Sequence, residues 1–231
     1  MHKPQEETPK QKILNQLSNF IQHNRIILLV LLIAIVVGVI TFAVVSEIVG
    51  KRLGDSTYMV EQVQKDFDSW LIEESEEQKQ ALEDFILDET ENIINTYPRL
   101  YAAQRSRLIR GNLFFEKERW EESVDEFVLL ADTFPQSYLA PISLVNAAVA
   151  LEEDGDTAKA IEFYQRIGDE YRDSFAGIPE VLFSLGRLHE QQNDYASAQE
   201  VYEDLEDNFS SSNWTKLARN RIIKMKVDGK I

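Results

Sequence analysis

Four aromatic residues, Tyr97, Phe134, Tyr171 and Phe209, stand 37, 37 and 38 residues apart in a chain of 231. Each lies in a variant of one short stretch: "NTYPRLYAA", "DTFPQSYLAP", "DEYRDSFAG" and "DNFSSSNWT". A period of this length belongs to arrays of helical hairpins, where each unit buries its apolar face on its neighbours rather than in one shared core. The chain therefore reads as an all-α solenoid of two-helix units.

Aligning the units slot by slot supports that reading. In the first helix of each pair a small slot falls at Gly111, Ala148 and Gly186, where two helices must approach closely. Three residues later come Phe114, Leu151 and His189. The second helix opens on Trp120, Thr157 and Tyr195 and carries a small slot at Ser123, Ala160 and Ala198. It continues with Phe127, Tyr164 and Tyr202, then Leu130, Ile167 and Leu205. Those spacings place the last three sets on one helical face. The turns "EKERW", "EDGDT" and "QQNDY" are polar, and the latter two are rich in Gly, Asn and Asp, as a tight helix-helix turn requires.

These slots resemble the tetratricopeptide repeat over three units, residues 104–210. Thr157 in place of an aromatic, Ser123 in place of alanine, and a period a few residues too long depart from its pattern. The recurring stretch reads as a stop and a restart. The aromatic closes the second helix, and Pro98 or Pro135 lacks the N–H needed to continue it. Ser137 and Ser174 are expected to cap the next helix, with Pro141 and Pro179 in or near its first turn. Before the repeats, "YMVEQVQKDFDSWLI" and "EEQKQALEDFILDETENIINTYP" read as a degenerate first pair within a linker at 49–103. After them a solitary helix at 211–231 is expected to close the stack with Trp214, Leu217, Ala218, Ile222 and Met225.

An uncharged run of 21 residues begins at Ile26 and closes at Ser46. At about 1.5 Å per residue it reaches roughly 30 Å, one bilayer core. With its flank it is read as a transmembrane helix at 26–48 behind a cytoplasmic tail at 1–25. The apolar run exceeds a signal-peptide core, and no small-x-small cleavage site follows. Lys3, Lys10, Lys12 and Arg25 before it, offset by Glu6 and Glu7, nearly balance Lys51, Arg52 and Lys65 after it. The short tail is the easier piece to retain in the cytoplasm, which puts the repeats outside.

With no cysteine and three histidines, disulfides, thiolate metal sites and cysteine nucleophiles are excluded. A net charge of −16 argues against nucleic acid as a partner. No Ser or Cys triad, HExxH zinc motif or Gly-rich phosphate loop is present, so neither catalytic residue, cofactor nor small-molecule substrate is assigned. His189 occupies a core slot and reads as packed. Asp154 and Asp156 flank Gly155 without the remaining ligands of a calcium loop, so no metal is assigned. The basic terminal helix (Lys216, Arg219, Arg221, Lys224, Lys226, Lys230) serves either helix-end charge and solubility or an anionic partner. Two glycosylation sequons, at Asn208 and Asn213, bear only on a eukaryotic secretory compartment.

The tetratricopeptide resemblance implies that the first helices line a concave, partner-binding groove. By spacing it would show Arg105, Leu108, Asn112, Phe115, Ile142, Val145, Asn146, Val149, Phe183, Arg187 and Glu190. Asn112 and Asn146 fall where the carboxylate-clamp subfamily places two asparagines. That subfamily's basic slots hold Leu108, Glu180 and Ser184 here, so the clamp function is not carried over. Whether the strip is free or covered by the chain's own helix from Tyr58 to Trp70 stays open. The whole layout, and the stretch "NTYPRLYAAQRSRLIRGNLFFEKERWEESVDEF", resembles the YfgM-type family, ancillary subunits of the SecYEG translocon. That resemblance implies a single-pass inner-membrane protein with a periplasmic repeat domain and, as partners, the translocon, periplasmic chaperones or client polypeptides. "FPQSYLAP" and "DYASAQEVYEDL" are also similar to repeats of outer-membrane-assembly and Tol-Pal-associated proteins, implying the alternative of an envelope-assembly or division scaffold.

Overall fold

The structure, a computed structural model, describes residues 8–231; Lys3, Glu6 and Glu7, which enter the charge comparison, lie outside the described residues. Among the described residues there are nine helices and no strand. The chain forms two units, one closing at Gly54 and one running Asp55–Ile231.

The first unit is helical from Pro9, within α1 Pro9–Ile72. The tail expected before Ile26 is therefore helix from Pro9 onward, and the bilayer-length run is part of a longer element. Nothing in that stretch breaks a helix: Gly38, Gly50 and Gly54 each cost only about 1 kcal/mol relative to alanine. The apolar run is a candidate membrane span whose most apolar window has no buried residue, unlike the core helix of a soluble protein. In the segment before it Ile13, Leu14, Leu17, Phe20 and Ile21 are exposed along one side of the helix.

The second unit opens with the last turns of α1. Val60, Val63, Phe67 and Trp70 pack with Ile86 and Ile93 of α2 Glu76–Thr96 and with Ala102, Ile109 and Leu113 of α3 Tyr101–Glu116. This segment thus takes the place of a first helix, paired with α2. Three hairpins follow: α3 with α4 Trp120–Thr133, α5 Leu139–Asp154 with α6 Thr157–Glu170, and α7 Ile178–Gln191 with α8 Tyr195–Asn208. The unpaired α9 Asn213–Val227 closes the array. Consecutive helices from α2 onward pack in chain order, and first helices also touch across units, α3 on α5 and α7 on α9.

The small slots do what close approach demands. A Cβ added to Gly111 would collide with the Phe127 ring, and one added to Gly186 with the Tyr202 ring. Ser123, in the alanine slot, is fully buried and donates its hydroxyl to the Gly111 carbonyl at 2.9 Å. That bond satisfies the one polar group the substitution brings into the core.

The recurring aromatics are the closing residues of second helices. Tyr97, Phe134, Tyr171 and Phe209 follow α2, α4, α6 and α8, and each donates its N–H to the carbonyl four residues back. Each carbonyl then accepts from the N–H three residues on, giving the same turn four times. Ser137 accepts from the Leu139 N–H at 3.1 Å but stands one residue before Tyr138, the N-cap of α5, which makes no side-chain capping bond, and Pro179 lies at the start of α7. Ser174 does not cap. Its hydroxyl bonds back to the Tyr171 carbonyl and Phe175 extends the turn, so α7 begins only after Gly177. On α9 the buried residues are Thr215, Ala218, Ile222 and Met225, while Leu217 is 45% exposed. Thr215 sets that phase by donating to the Leu205 and Phe209 carbonyls, which turns Leu217 outward.

Within each hairpin the third turn residue is left-handed: Glu118 at φ 56°, Gly155 at 84° and Asn193 at 60°. Arg119, Asp156 and Asp194 then donate their N–H to the carbonyls of Phe114, Leu151 and His189. Asp156 and Asp194 cap α6 and α8, so of the two aspartates considered for calcium Asp156 is a helix cap and Asp154 ends α5; Arg119 makes no such bond. Glycine at position 118 would relieve a conformation unfavourable to glutamate. Glu118→Gly is expected to stabilise the array by about 1 kcal/mol in urea denaturation. Gly186→Ala is expected to destabilise it by about 1–3 kcal/mol, since the rigid Tyr202 ring must move.

Candidate functional site

Every residue assigned to the groove sits on a first helix and is half-buried. Asn112, Phe115, Asn146 and Val149 come together around a cavity of about 230 Å³ between α3 and α5, with Glu116 and Phe127. Val145, Val149 and Arg187 line a second cavity of about 300 Å³ between α5 and α7, with Tyr164, Phe175, Val181 and Ser184. Val149 is shared, so the two cavities are adjacent. No residue of the helix from Tyr58 to Trp70 lines either cavity; its buried side chains pack on α2 and α3, and it reaches the strip at Arg105 through Gln64.

The other assigned residues are placed differently. Ile142 lines a cavity of about 640 Å³ at the turns before α5 and α7, with Tyr138 and Phe175. Arg105 is held at the N-terminal edge, donating to Gln64 at 2.7 Å. Leu108 lies on α3 between these positions. Phe183 is engaged within the protein, its ring 5.9 Å from Tyr202 and 5.3 Å from Trp214, centroid to centroid. Arg187 and Glu190 are bound into the array.

Their bonds form a device repeated in consecutive units. Tyr164 donates its hydroxyl to Glu152 at 2.9 Å, and Glu152 accepts Arg187 of the next first helix at 2.5 Å. Tyr202 donates to Glu190 at 2.7 Å, and Glu190 takes Arg221 of α9 through two guanidinium nitrogens, Nε and Nη2, at 2.7 and 2.6 Å. Each tyrosine follows its glutamate by twelve residues. The same spacing in the preceding unit joins Phe127 to Phe115, an apolar pair with no hydroxyl to satisfy. Sequence reasoning placed the tyrosines on one helical face and missed their hydroxyl bonds, although this correspondence between units was there to be read. Burial, then the neighbouring carboxylate, pushes both phenols well above their ordinary value.

Three basic residues of α9 are ion-paired within the protein. Besides Arg221, Arg219 pairs with Glu206 at 3.0 Å and Lys224 with Asp228 at 2.8 Å. That pairing favours a structural role over an anionic partner. His189 is packed, its Nδ1 3.5 Å from an Asp194 carboxylate oxygen. No cluster of metal-ligating side chains occurs among the described residues.

Residues 143–174 and 180–212, which run from α5 through the turn after α6 and from α7 through the turn after α8, match the tetratricopeptide repeat family model. The matched segments are tetratricopeptide repeats. The chain is also 31% identical over 119 residues to a TPR repeat-containing protein of Treponema pallidum (strain Nichols), covering 52% of this chain. It spans about half of that curated relative, 49% of its length.

Because folding raises the two phenol pKa values, their stabilising contribution is fully present below the unfolded value of about 10 and is lost as pH rises through the folded values. In an alkaline absorbance titration, Tyr164 and Tyr202 are expected to ionise well above the ordinary tyrosine value and together with unfolding. In Tyr164→Phe/Tyr202→Phe the late step should be gone.

Proposed function

We propose that the protein is a non-enzymatic, membrane-tethered adaptor whose row of first helices binds segments of other polypeptides. The observation that carries this reading is the pair of adjoining cavities between α3, α5 and α7, neither of them lined by the helix that precedes α2. Tetratricopeptide repeats generally mediate protein-protein interaction, and apolar side chains already half-buried in such a strip contribute about 1 kcal/mol each when a partner completes their burial, before ordering costs.

The exposed apolar run of α1 supports a membrane tether. In this reading it crosses the bacterial inner membrane once, with the N-terminus cytoplasmic and the repeats periplasmic. The layout resembling the YfgM-type family points to the Sec translocon as the neighbouring complex, with periplasmic chaperones or emerging clients in the groove. Tethering raises the effective concentration of the groove beside that complex, so weak contacts suffice.

Photo-crosslinking residues at Phe115, Val145 and Val149 test this in cells. They are expected to capture translocon components or secreted chains, while Leu129, exposed on α4, captures neither. Capture of only outer-membrane-assembly or peptidoglycan-associated proteins would replace the translocon with an envelope scaffold. Equal capture from Leu129 would remove the groove from the reading altogether.

A further inference from the structure

The charges along the two adjoining cavities do not cancel. The second holds Glu152, Glu153, Glu180 and Arg187, and the first adds Glu116. The single cation is committed: Arg187 is bound to Glu152, which also accepts the Tyr164 hydroxyl. At the strip's N-terminal edge Arg105 is engaged by Gln64, and at its C-terminal edge Arg221 is engaged by Glu190. Glu116, Glu153 and Glu180 remain exposed, and among the described residues no ion pair engages them. These carboxylates border an apolar floor of Phe115, Val145, Val149, Phe175 and Val181.

From this juxtaposition we propose that the groove selects extended polypeptide segments that alternate apolar side chains with lysine or arginine, and rejects acidic ones. The inference rests on the adaptor reading and names its ligand class. Apolar side chains enter the two cavities, and cations between them meet the three free carboxylates. An acidic segment would meet those carboxylates with like charge, in cavities whose one guanidinium, Arg187, is already neutralised by Glu152. At the slots where the carboxylate clamp carries cations, Leu108, Glu180 and Ser184 offer an anionic peptide nothing.

The test uses the full chain in nanodiscs and three fluorescent peptides sharing one alternating leucine pattern, with lysine, glutamine or glutamate between the leucines. Anisotropy is expected to rank lysine above glutamine above glutamate, with about tenfold between the first two from three exposed pairs. The ranking should collapse at high salt, because exposed charges are screened. Glu153→Lys/Glu180→Lys, on exposed positions, should invert the order, and Val149→Asp should abolish binding of all three, with circular dichroism confirming the fold of each variant. If the three peptides bind equally and Val149→Asp still abolishes binding, the charge selection is wrong and the groove stands. If the lysine peptide is preferred but indifferent to Glu153→Lys/Glu180→Lys, the attraction comes from the acidic surface at large and the proposal falls. If no peptide binds, the groove reading fails with it.

Discussion

Helix pairs in this array are held by a ring pressed against a backbone. Where Phe127 and Tyr202 lie across the facing helix, Gly111 and Gly186 leave the room a Cβ would take. Fixing that approach fixes the hairpin, and stacking hairpins brings the first helices side by side. The cavities between α3, α5 and α7 are a consequence of this contact, since they open where consecutive first helices diverge over half-buried side chains.

A second interaction ties successive units together. Tyr164 and Tyr202 reach from second helices through the layer to Glu152 and Glu190, which hold Arg187 and Arg221 of the following first helix. Removing one member of such a set leaves a buried polar group with less than its full bonding, so its members act together. The network also consumes cations that would otherwise face the groove, leaving the strip's net charge to the carboxylates. Packing in the array and the chemistry of its inner face are therefore one arrangement.

Much of this was legible because the units annotate one another. A glycine at 111 means little alone, but with Ala148 and Gly186 at matching positions it marks a close approach. The same comparison placed the helix-closing aromatics and the tight turns within the hairpins. What escaped was decided by contacts outside the period. Thr215 finds two carbonyls at the end of α8 and rotates α9, leaving Leu217 outside. Ser174 lost its expected role to the turn through Phe175, and Phe183 was claimed by Trp214, a residue beyond the last full unit. The helix preceding α2 was legible as helix but not as continuous with the apolar run, since hydropathy changes there while backbone propensity does not.

The pairing of an inner glutamate with an outer tyrosine twelve positions later, replaced by two phenylalanines one unit earlier, bears on how such a chain can diversify. Each hairpin carries its own matched couple, whereas the guanidinium that completes each tyrosine-glutamate couple comes from the next first helix, α7 or the unpaired α9. A duplicated or transplanted module would keep its internal match and lose its external one. The natural unit of recombination is therefore offset from the structural repeat, running from one glutamate to the arginine of its successor.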